Sequence, residues 1–272
     1  MKLPETFMPE KDLEKNIETL MKTKIPLPQP ATENDHVRLE NVYCKDKDGN
    51  VFERYNRLFV RTSLATTNKI RESCFTLPGA VSFFERQKGD VFLPSNALTC
   101  SILAKLYELR HYEEMESLLL QYSGHKKDGW HLQNTLVDWN WQKIMHYPGY
   151  YEIPKKIKKR DINYKRACAP LEFNIKHGED AKLEFLLREP KMADFIKDLT
   201  GLENPEILVD IGDYFKKPTR VWFPDEKHEQ PEKPFTVWIG CRHDNFDIFL
   251  ASKVNYPGPA RGVYTGMAKK KK

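Results

Sequence analysis

The sequence predicts an α+β fold: a helical hairpin with short strands in the N-terminal half, and an antiparallel sheet plus short helices in the C-terminal half. Three observations carry this expectation. Apolar residues recur at helical spacing through 97–123. The runs TRVWFP, PFTVWIGC and FDIFLASKVNY, near the other end, are rich in β-branched and aromatic residues. The helical tract has no second copy, which disfavours a helical-repeat architecture.

Each element has its own signal. Residues 9–24 put Leu13, Ile17, Leu20 and Met21 on one stripe of a helix. Pro26, Pro28 and Pro30 follow, a spacing that only an extended, stiff linker accommodates. VRLENVY, VFERYNRLFVRT and GDVFLP read as short strands, the first two joined by a turn at Asp48, Gly49 and Asn50. Ser95 has the chemistry of a helix N-cap, and Leu98, Ile102, Leu106 and Leu109 mark the apolar face that follows. After a break near 110–112, Met115, Leu118, Leu119 and Tyr122 resume it, which suggests the hairpin. Further on, LEFNIKHG and AKLEFLL read as a β-hairpin around Gly178. Pro190 and Gly201 bracket one short helix, and Pro205 opens another. The three C-terminal runs then form an antiparallel meander.

Charge is unevenly placed. The whole chain carries 44 − 39 = +5. Without the tail Lys269, Lys270, Lys271 and Lys272 it carries 40 − 39 = +1, and without 154–166 as well, 33 − 38 = −5. That internal segment holds Lys155, Lys156, Lys158, Lys159, Arg160, Lys165 and Arg166 against Asp161. The pattern divides the chain into an arm and linker (1–30), a helix-rich mixed domain (31–153), a basic linker (154–170), an α+β domain (171–268) and a lysine tail (269–272). A single packed body is the alternative division.

Composition excludes several classes. No stretch is long and apolar enough for a spanning helix, and the N-terminus lacks the apolar core of a signal peptide. Cys44, Cys74, Cys100, Cys168 and Cys241 are odd in number and include no CxxC, so they read as reduced thiols in a cytoplasmic protein. No phosphate-binding loop, dinucleotide fingerprint or nucleophile elbow is present. Nothing in the sequence calls for a cofactor.

Three clusters could carry function. Residues Lys155, Lys156, Lys158, Lys159, Arg160, Lys165 and Arg166, with Tyr164 for stacking, suit a nucleic-acid backbone, RNA in preference to DNA. An acidic protein surface is the other partner such charge would accept; a membrane is not expected. His125, His131 and His146 offer imidazoles, but at spacings that match no metal motif, so no metal site is assigned. The alternative function is an enzyme, a hydrolase or transferase, whose pocket lies at the 241–247 turn. There Cys241 would be the thiolate, His243 and Asp244 its acid–base partners, and Arg261 an anion clamp.

Overall fold

The computed structural model describes residues 36–62, 64–65, 75–87, 91–124, 129–139, 141–147, 168–175, 180–224, 234–242, 244–253 and 258–264. The arm, the segment 154–166 and the lysine tail lie outside these residues.

The first strands, β1 (His36–Lys45) and β2 (Val51–Arg61), form a long antiparallel ribbon. Its turn is fixed by Asp46, whose carboxylate accepts from the backbone of Asp48 and Asn50, with Gly49 in the left-handed region at φ 83°. Helix α1 (Leu77–Glu85) is capped by Thr76. A short strand β3 (Val91–Phe92) leads into α2 (Asn96–Glu108), where Ser95 Oγ accepts from Leu98 N at 3.1 Å. Then follow α3 (Glu113–Tyr122), β4 (Trp130–Asp138), β5 (Lys143–His146), β6 (Cys168–Glu172), β7 (Ala181–Lys182) and α4 (Leu183–Leu186). Helix α5 (Pro190–Thr200) ends at Gly201, and α6 (Glu206–Tyr214), β8 (Thr219–Trp222), β9 (Phe235–Arg242), β10 (Asn245–Lys253) and β11 (Val263–Tyr264) complete the described chain.

These strands make two sheets. One has four strands in the order β1-β2-β11-β3; the other is a curled seven-stranded sheet in the order β6-β5-β4-β9-β10-β8-β7. The expected fold class is therefore overturned. The seven-stranded sheet draws β4 and β5 from the N-terminal half and pairs them with β6 and β9 from the C-terminal half. Nor is the N-terminal half organised as a helical hairpin. The stripe argument assumed one dry face per helix. In α2, residues Asn96 to Ala104 and Leu106 are all buried, because this helix runs through the interior against β1, α3, α5 and α6.

Two smaller expectations also fail. AKLEFLL is not a strand: after two strand residues it turns into α4, and β6 pairs with β5 rather than with β7. The C-terminal runs are not a simple meander either. β10 pairs with β9 antiparallel but with β8 parallel, and β9 has β4 rather than β8 on its other side.

Most apolar side chains join a main core between the sheets and helices, and a second cluster forms around Phe75, Phe83, Phe84, Leu132 and Trp238. Gly201 (φ 65°) lets α5 end against α2 and β1: a Cβ there would stand 2.6 Å from that of Ala97 and 2.9 Å from that of Cys44.

Candidate nucleic-acid interface

The four-stranded sheet buries one face throughout; its other face is covered at β3 and β11, where Val91 packs on the second cluster and Phe84 stands against Gly262, and is open along the β1–β2 ribbon. Val37, Val60, Val263 and Phe92 make one row across all four strands and point to the core. The next row, Arg38, Phe59, Tyr264 and Val91, faces the other way. Along β1, Leu39, Val42 and Cys44 are buried while Arg38, Glu40 and Tyr43 are exposed. Along β2, Glu53, Tyr55, Leu58 and Val60 are buried, whereas Arg54, Asn56 and Arg57 are exposed. Strict alternation breaks once in each strand, at Asn41 and at Asn56 opposite it. Asn41 takes a left-handed φ of 55°, a conformation asparagine tolerates better than most residues. The break lets the ribbon twist without losing register.

The outward face combines cations with rings. Arg38, Arg54, Arg57 and the half-buried Arg61 share it with one acid, Glu40, which is ion-paired to Arg38 and stands opposite Arg57. Phe59 and Tyr264 stack with centroids 4.9 Å apart and planes 9° from parallel, and His36 meets Tyr264 edge-on at 4.6 Å. At the other end Tyr43 is 47% exposed, with the Lys45 ammonium 5.5 Å from its ring. Lys45 also pairs with Glu203, so its charge is largely committed.

The inward face of β2 is chemically opposite. Glu53 is buried and accepts from Tyr55 Oη at 2.6 Å and Ser95 Oγ at 3.1 Å. Burial outweighs these two bonds and pushes its carboxyl up to about 7.

The sequence-selected residues fare unequally. Lys155, Lys156, Lys158, Lys159, Arg160, Tyr164, Lys165 and Arg166 lie outside the described residues, as do His125 and His243. Cys241 is buried on β9, and desolvation pushes its thiol up to about 12, the reverse of an activated thiolate. Asp244 is exposed at the adjoining turn. Arg261 is fully buried elsewhere: its guanidinium donates to the carbonyls of Arg61 (3.2 Å), Thr62 (2.6 Å) and Gln121 (3.4 Å) and lies over the Tyr122 ring at 5.2 Å. These three contacts clamp backbone carbonyls.

The other two histidines of that group, His131 and His146, are internal. His146 meets Thr135 Oγ1 through Nδ1 and the Asp198 carbonyl through Nε2, each at 2.9 Å. Burial holds its pKa down at about 4, so both ring nitrogens are engaged in a neutral ring. His131 is buried beside Tyr122, and desolvation, with the nearby Arg261 charge, holds its pKa well below the ordinary value. Among the described residues no three metal-binding side chains converge, and no helix is long and apolar enough to cross a membrane.

Sequence reasoning missed the arginine-bearing face because it stopped at recognising β-prone runs. The signal was present in VFERYNRLFVR: Arg54, Arg57 and Phe59 sit outside the set that turns inward. Compared with protein-family models, with curated proteins and with solved structures, the chain matches none.

Proposed function

We propose that this protein binds nucleic acid, RNA in preference to DNA, and that the basic segment 154–166 supplies much of the attraction. Charge segregation is the observation that carries this reading. Seven basic groups against Asp161 put +6 into thirteen residues, on a chain that is otherwise acidic apart from its lysine tail. Tyr150, Tyr151 and Tyr164 flank or interrupt the cluster and offer rings to bases. The described part of the chain adds support, because the outward face of its four-stranded sheet collects arginines rather than carboxylates. The enzyme alternative draws less support, since Cys241 is buried and desolvation raises its thiol pKa.

The test is binding of a labelled single-stranded RNA across a salt series. Each neutralised phosphate releases counterions, so affinity falls steeply as salt rises. Changing Lys155, Lys156, Lys158 and Lys159 together to alanine is expected to weaken binding and to flatten that slope by about three, at roughly 0.7 per phosphate contact. Absence of binding at low salt, or identical slopes for both proteins, defeats the reading.

A further inference from the structure

Resting on that reading, we infer that the outward face of the β1–β2 ribbon is a second, distinct contact surface, built for a single strand whose bases stack on Tyr43 and on Phe59, which Tyr264 backs, while Arg38, Arg54 and Arg57 meet its phosphates. Four features of the face argue for this occupant.

First, the two ring sites are separated along the sheet. Tyr43 pairs with Arg54, and Phe59 lies five residues further along β2, about 17 Å at 3.3–3.4 Å per residue. That span matches the smallest single-strand sites, about four nucleotides. Second, the cations lie between and beside the rings. Arg54 and Arg57 are three residues apart, about 10 Å, and Arg38 is directly opposite Phe59. A strand crossing the face therefore alternates ring contacts with guanidinium contacts.

Third, the ring of Tyr43 is presented, being nearly half exposed, and Phe59 is half-buried with Tyr264 stacked behind it, which holds the Phe59 ring in place. Fourth, the rings oppose a duplex, because bases already paired and stacked within a helix have no free face to offer them. Charge complementarity decides between partners: Arg38 and Glu40 offset each other, the exposed Arg54 and Arg57 leave a positive excess that favours a polyanion, and the exposed Tyr43 ring favours one with free bases.

The experiment uses the full chain and three probes: a fluorescein-labelled oligouridylate of about a dozen nucleotides, the corresponding oligodeoxynucleotide, and an RNA duplex of equal length. The variants are Tyr43→Ala, Phe59→Leu (which keeps apolar bulk but removes the ring) and Arg54→Ala combined with Arg57→Ala, each checked for an unchanged circular dichroism spectrum and melting midpoint. Tyr43→Ala and Phe59→Leu are expected to weaken single-strand binding about tenfold each with the salt slope unchanged. The double arginine variant is expected to flatten the slope by about 1.4, two phosphate contacts' worth. Duplex affinity is expected to respond little to the two ring variants.

The outcomes separate this site from the parent reading. No binding by the wild-type chain defeats both. Binding that collapses in the Lys155/Lys156/Lys158/Lys159→Ala protein but is untouched by all three face variants leaves nucleic-acid binding standing and overturns this surface. Equal loss for duplex and single strand in the ring variants overturns the stacking role. Weaker binding of an acidic protein, with nucleic-acid affinity intact in the face variants, assigns the surface to a different partner and overturns the inference.

Discussion

The two sheets differ in how many of their faces are dry. Strand β4 of the seven-stranded sheet is buried from His131 to Asp138, and β9 is buried from Phe235 to Cys241. Some polar side chains of these strands find partners inside. Thr135 holds His146 and accepts from Asn96 N at 2.8 Å, while Gln133 takes up the Thr99 hydroxyl and the His131 carbonyl. The ribbon β1–β2 buries alternate residues and leaves the rest to water. The lesson is a division of labour: the larger sheet is constrained at nearly every position, and the smaller one retains side chains that stability does not claim.

The sharpest test of that contrast uses glycine. A Cβ at Gly240 in β9 would lie 2.2 Å from the Gly129 carbonyl oxygen and 2.8 Å from Trp130 Cα, both rigid backbone. Gly240→Ala is expected to cost at least about 4 kcal/mol, at the severe end for point substitutions, or to prevent folding. At Gly49, in the β1–β2 turn, nothing stands within 4 Å of the added Cβ. Gly49→Ala is expected to cost only its left-handed conformation, about 1–2 kcal/mol. Urea denaturation of both variants measures the difference, and equal losses would erase the contrast.

The next largest effect depends on pH and lies under the ribbon. Glu53 ionises near its ordinary 4.5 when unfolded but at about 7 when folded. Between those values the unfolded chain binds fewer protons, so this residue makes stability fall as pH rises, by about 3 kcal/mol in all. Glu53→Gln removes that fall. Its advantage over wild type is expected to grow from about pH 4.5 to 7 and then to level off. His146 works in the opposite sense: held down at about 4 by burial, it costs stability as pH drops below its ordinary 6.5, and that loss remains in the variant. Denaturation midpoints at several pH values check both slopes; parallel curves for the two proteins would remove Glu53 from this role.

The smallest effect is expected on the wet face. Arg54→Ala and Arg57→Ala each leave stability within about 0.5 kcal/mol of wild type, because both side chains are exposed. A loss above about 2 kcal/mol in the same denaturation series would mean that the outward face is structural.

Local chemistry was well marked in the sequence. The Ser95 cap, the turn around Gly49 and the helix between Pro190 and Gly201 all arise from interactions within a few residues. Pairing partners were not marked. β10 touches β8 in parallel and β9 antiparallel, and nothing in FDIFLASKVNY says which neighbour lies on which side. The mistaken hairpin has a similar cause: α2 looks amphipathic by its leucines, yet Asn96, Thr99 and Ser101 are buried too, satisfied by groups remote in sequence. For the candidate site the rings and arginines were visible, but their common side depends on the one broken step at Asn41 and Asn56, a twist that residue types alone do not announce.

One feature of the small sheet bears on how the chain reaches this state. Strand β11 is one of its two interior strands, and Val263 pairs with Val60 on one side (263 − 60 = 203 residues away) and with Phe92 on the other (263 − 92 = 171). During synthesis β1, β2 and β3 emerge long before the segment that must join them. Two strand margins, on β2 and β3, therefore wait open with their backbone donors and acceptors unpaired, inviting strands from other chains. Closure of loops this long is entropically costly and slow. When it comes, Arg261 latches it by seizing the carbonyls of Arg61 and Thr62 at the end of β2. A nascent or truncated chain stopping short of residue 258 is thus a sheet with its keystone missing, prone to aggregate however sound the rest of its fold.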